Sequence, residues 1–177
     1  MILTLISTAT ESDVSEIDIT SGIDSTYDEY MFVMTDIGPA TDNVNFGFQV
    51  NADGASGFNE TITSTSFWSY HGETSGETSL GYAAGNDQAQ GTAYQDLTWA
   101  IGNGSDESCA GILHLFSPSS STYVKHFYSR VSCNSYNNNS TVFHAAGYIN
   151  TTTAIDEISF KMSSGNFDGV IQLFGIA

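Results

Sequence analysis

Apolar and polar residues alternate in short stretches along almost the whole chain, the period-two pattern of strands with one face turned to a core. Eleven strands are predicted: 2–7, 14–20, 30–37, 44–50, 60–70, 92–101, 111–117, 123–132, 141–150, 155–163 and 169–175. Turn chemistry separates them, as at Gly38-Pro39, Asn51 to Gly54, Gly102-Asn103-Gly104, Asn137 to Asn139 and Ser164-Gly165-Asn166. No window repeats at helical spacing between capping signals, so little or no helix is expected. The end of the chain gives the clearest hairpin, with Ile158, Phe160 and Met162 alternating before a nearly continuous apolar return over 170–176. Many short strands without intervening helices predict an all-β fold, an antiparallel jelly-roll-like β-sandwich, in one domain over 1–177. Residues 1–20 are expected to form an edge or subunit-exchanging region, with 2–7 closing a sheet edge or pairing with a neighbouring subunit. The strand-poor stretch 71–90 reads as a long, functional or contact-making loop.

Composition supports that reading. Ser, Thr, Asn and Gly dominate the polar positions, Pro occurs twice, and hydrophobic residues make up 40% of 177 residues. No apolar run is long enough for a membrane helix. Charge is more informative: the net value is −17, and seventeen of the twenty acids precede Lys125, the first basic residue. No basic patch exists to neutralise phosphates, so nucleic acid and anionic membranes are excluded as direct partners, and a basic protein surface or cations are favoured. The first residues lack the cationic start and long apolar stretch of a secretory signal, so an unsecreted protein with Cys109 and Cys133 as thiols is expected.

Motifs for catalysis are missing: no nucleophile elbow, phosphate loop, dinucleotide fingerprint, zinc-protease motif or C-x-x-C is present. The expectation is a protein that is not an enzyme. His114, His126 and His144 lie in predicted strands and are candidates for a Zn²⁺ or Ni²⁺ site if those strands are neighbours or meet on a symmetry axis; locally hydrogen-bonded strand histidines are the simpler reading. Acidic loops at Asp24, Asp28-Glu29, Asp42-Asn43 and Asn51 to Asp53 offer hard oxygen ligands for Ca²⁺, although none follows the EF-hand frame. Alternation sends Phe67 and Ser69 to one side of their strand and Trp68 and Tyr70 to the other. One pair is core, and Trp68, Tyr70 and Tyr136 are singled out as contacts for a partner or a glycan.

Several stretches together carry a resemblance: 25–33 (STYDEYMFV), 61–65 (TITST) with Phe67 and His71, 87–97 (DQAQGTAYQDL), 113–120 (LHLFSPSS), 123–127 (YVKHF), and 146–167 (AGYINTTTAIDEISFKMSSGNF) on to LFGI at 173–176. This set is similar to small structural proteins of tailed bacteriophages, especially those of marine bacteria. The resemblance implies a virion protein made in the host cytoplasm: most simply a capsid decoration protein, homotrimeric, on the particle surface. Its expected partners are itself and the major capsid or another virion protein. The alternatives are a fibre or tail appendage subunit, or a carbohydrate-binding module that reads host surface glycans. No catalytic residue set comes with the resemblance.

Overall fold

The structure is a computed structural model that describes residues 2–74 and 76–177. Period-two patterning is realised most plainly in Lys125–Ser135, where Phe127, Val131 and Cys133 are buried while His126, Tyr128, Arg130 and Ser132 alternate with them on the exposed side. Thirteen strands form: β1 (Leu3–Val14), β2 (Glu16–Ile19), β3 (Glu29–Pro39), β4 (Phe46–Ala52), β5 (Ile62–Gly72), β6 (Thr78–Tyr82), β7 (Ala89–Gly91), β8 (Gln95–Asp96), β9 (Cys109–Phe116), β10 (Lys125–Ser135), β11 (Asn139–Ile149), β12 (Ile155–Met162) and β13 (Phe167–Ile176). No helix occurs among the described residues.

The strands make two antiparallel sheets packed as a sandwich, one in the order β1-β13-β3-β9-β10-β11-β5-β6 with β7 also on β5, the other β2-β12-β4-β8. Eight of them, β1-β13-β3-β9 facing β2-β12-β4-β8, carry the jelly-roll order. Two insertions, β5 to β7 and β10 with β11, both lengthen the first sheet beyond β9. β1 lies at one edge of the first sheet, pairing with β13 from Leu3↔Ile176 to Val14↔Phe167.

Between the sheets lies an aromatic core. Phe160 of β12 packs on Phe32 of β3 and stacks on Phe46 of β4, with ring centroids 5.6 and 5.9 Å apart, and Phe48 meets Phe127 edge-on at 5.1 Å. Each of these rings is buried, and burying a Phe contributes roughly 1.5–3 kcal/mol. Lys125 is fully buried at the start of β10, where its Nζ donates to the carbonyls of Ser120 (2.6 Å) and Thr151 (3.1 Å) and ties two loops to the sandwich.

Two expectations change. The stretch 71–90 contains β6 and β7, while 92–101 holds only the short β8 and an isolated bridge at Ile101. In β6 the usual pattern is inverted: Leu80 and Tyr82 are exposed and Gly81 lies against the Trp68 ring, where a Cβ would come within 2.9 Å of it. A strand whose inward residues are small because a neighbour's indole fills the space does not announce itself by apolar alternation.

Candidate functional site

The outer face of the nine-stranded sheet is the part of the surface that stands apart. Its side chains fall into continuous cross-strand rows. One runs Leu5, Phe174, Met31, His114, Tyr128, Ala146, Thr65 from β1 to β5. The next runs Thr8, Gln172, Val33, Ile112, Arg130, His144, Phe67, Tyr82 from β1 to β6. Neither row contains an acid, in a chain with twenty. On either side lie Leu3, Ile176, Glu29 and Phe116, and Val170, Thr35, Val142 and Leu80. Six of the ten exposed large hydrophobic side chains among the described residues, Leu3, Leu5, Phe67, Leu80, Tyr82 and Tyr128, belong to this face.

Relief on the face is uneven. The β1-β13-β3 half carries the bulk of Leu3, Leu5, Phe174 and Met31. The β11-β5-β6 half is hollowed where its residues are small: a dent of about 150 Å³ lies between Tyr128, Phe67 and His144 above Ala146. A shallow depression of about 670 Å³ is lined by Ser69, His71, Leu80, Ser132, Ser140 and Val142.

All four histidines occupy outward positions of this sheet, but they are not brought together. His114 stacks on Tyr128 (4.5 Å between centroids), and its Nδ1 is 2.6 Å from Glu29 Oε1. His144 stacks on Phe67 at 4.7 Å, and burial, then the Arg130 charge, lower its pKa. His126 packs edge-on to Tyr148 at 6.1 Å, and the His71 ring nitrogen meets the Gly72 carbonyl. Among the described residues no group of three or more His, Cys, Asp or Glu is arranged to hold a metal ion. The strands of His114 and His144 are separated by β10, which puts Tyr128 and Arg130 between the two rings.

The loops considered for Ca²⁺ engage their own chain. Asp24 accepts from Thr26 N (2.7 Å) and from the Tyr30 hydroxyl (3.0 Å), and the Thr26 bonds hold its carboxyl below the usual range. Asp42 accepts from Asn103 N, and Asn51 Nδ2 donates to Glu157 at 2.9 Å.

The aromatic expectation needs correction. Trp68 points inward, packed against the core and stacked between Tyr70 (5.4 Å) and Trp99 (5.2 Å), while its neighbour Phe67 is the exposed ring at 47%. Strand parity was legible from sequence, but its direction was set by the segment that carries Trp99 across the inner side. Tyr136 is exposed at the turn between β10 and β11. Cys109 and Cys133 face one another across β9 and β10 as free, buried thiols; burial pushes Cys133 up to about 12 and Cys109 well above its ordinary value. No family model matches this sequence, and no curated protein matches it.

Proposed function

We propose that this chain is a non-enzymatic structural protein of a bacteriophage particle, a capsid decoration protein that sits on the shell as a homo-oligomer. The observation that carries the reading is the contrast between two acid-free rows bearing exposed apolar side chains across one sheet face and a chain of net charge −17. A contiguous apolar face of this extent is a feature of subunits that work assembled, since monomers rarely expose patches beyond a few hundred Å². The acidic remainder is suited to docking on basic patches of a shell. The resemblance in 25–33, 87–97 and 146–167 supplies the particle.

A second reading, glycan recognition by an appendage subunit, is favoured by one feature, the Tyr70-Trp68-Trp99 ring stack with Trp99 partly exposed. Quantitative peptide mass spectrometry of purified particles of the encoding phage separates the two. Hundreds of copies relative to the major capsid protein support decoration, a few dozen support an appendage, and absence from the particle overturns both.

A further inference from the structure

We infer that the outer face of the nine-stranded sheet is covered by a second copy of this same chain, the bulky β1-β13-β3 half of one copy seating in the hollow β11-β5-β6 half of the other. This inference rests on the proposed structural role but names the surface and its occupant. Three observations lead to it.

The first is size. Eight strands joined by seven steps of about 4.8 Å, and four rows spaced about 7 Å along the strands, give a flat footprint of roughly 700 Å² before side-chain relief. A standard stable interface buries about 800 Å² on each partner, so one face of this kind is sufficient for a lasting contact.

The second is shape. Bulk and hollow occur on the same face: Leu5, Phe174 and Met31 stand at one end of the rows, and at the other the dent over Ala146 and the depression around Ser69 and Val142 lie beside the exposed Phe67, Leu80 and Tyr82. A surface that carries both projections and recesses can interdigitate with a copy of itself, which is what contact between copies requires.

The third is charge. Two bodies of net charge −17 repel wherever their acids face each other. The two acid-free rows are the approach that avoids this repulsion, and Arg130 is the only formal cation in either row. A basic partner would instead be drawn to the acidic sides and would gain nothing from Leu5, Phe174 or Tyr128. Salt dependence therefore tells the occupants apart: contact between copies tightens as salt screens their repulsion, and contact with a basic partner weakens.

The test is sedimentation velocity on the full chain at low and high salt. The expected result is a discrete oligomer that persists on dilution into the low micromolar range and tightens with salt. Leu5→Glu and Tyr128→Glu, each on an exposed side chain at one half of the face, are expected to weaken association by about 100-fold or more, because a carboxylate would be buried without a partner. Thr152→Glu, in an exposed loop away from the face, should leave it unchanged. Circular dichroism of each variant checks that the sandwich is retained. Hydroxyl-radical footprinting gives a measurement on the unmodified chain, in which Tyr128, Phe67 and Leu5 should be protected while Trp99, exposed on the other side of the sheet, is labelled. A wild-type chain that stays monomeric at about 100 µM in high salt overturns the inference, and so does an oligomer that survives both substitutions or leaves Tyr128 and Phe67 fully labelled. A monomer found in many copies on particles would leave the decoration role standing, and an oligomer absent from particles would leave the interface standing.

Discussion

The two sheets present opposite surfaces to the outside. On the four-stranded sheet the outward positions are polar and largely served by the chain itself. Gln49 Nε2 donates to the carbonyls of Glu60, Thr92 and Ala93, the Tyr94 hydroxyl donates to Ser159 at 2.9 Å, and Lys161 lies 4.0 Å above the Tyr94 ring. Glu16 and Asp18 complete that face toward solvent. Every residue of β4 is buried, its outer side by the segment that carries β8. The close approach depends on Gly47, where a Cβ would stand 2.8 Å from the Gln95 carbonyl. On the nine-stranded sheet the outward rows mix Thr8, Gln172, Arg130 and histidines with large apolar side chains, of which Leu5, Phe67, Leu80, Tyr82 and Tyr128 are left exposed. Inward patterns alternate in both sheets, so the difference concerns what lies outside each one: this chain covers one face and leaves large apolar side chains exposed on the other.

Substitutions separate the shared core from the two faces. Phe160→Ala removes a ring from between Phe32 and Phe46, and should cost about 3–5 kcal/mol in urea unfolding. On the covered face, Gln49→Ala takes the donor from the carbonyls of Glu60 and Thr92, that of Ala93 keeping Gln88 Nε2, and a loss of about 2–3 kcal/mol is expected by the same measurement.

Asp96 tests the electrostatics of that cover. Burial raises its pKa from 3.8 despite hydrogen bonds from Asn86 and Asn45. A carboxyl raised in the folded state binds its proton more tightly there than in the unfolded chain. Its contribution to stability is therefore full below the unfolded value and is lost as pH rises through the folded one. Asp96→Asn should accordingly raise the melting temperature at pH 7 and lose that gain below pH 3.8. The smallest effect is expected on the open face: Leu80→Ser, at a side chain 72% exposed, should change the unfolding free energy of the monomer by less than about 0.5 kcal/mol. If Leu80→Ser costs as much as Gln49→Ala, the two faces are not different in kind.

Much of this architecture was legible in the sequence. The strands at 30–37, 111–117, 141–150 and 155–163 appear at nearly the expected places, because each buries alternate large residues against the core. Two kinds of information were not legible. The polar half of β1, residues 8–14, is a strand because β13 lies beside it to receive its backbone hydrogen bonds, and no local pattern encodes that neighbour. The apolar outer face was equally hidden, since Met31, Ile112, Phe67 and Phe174 are scattered over the sequence and align only when cross-strand register places them side by side. The histidines illustrate the same limit: alternation gave their side of the strand, and register then put Tyr128 and Arg130 between His114 and His144.

The pairing of β1 with β13 and of β2 with β12 also bears on the order in which the molecule can be built. β1 and β2 find their partners only after β13 and β12 have been made, and such distant pairings are slow to close. In that interval the nascent chain exposes unsatisfied strand edges, the condition in which β proteins aggregate. Seventeen acids and no Lys or Arg ahead of Lys125 make the waiting chain strongly self-repelling, and like-charge repulsion of this kind opposes association of unfinished chains.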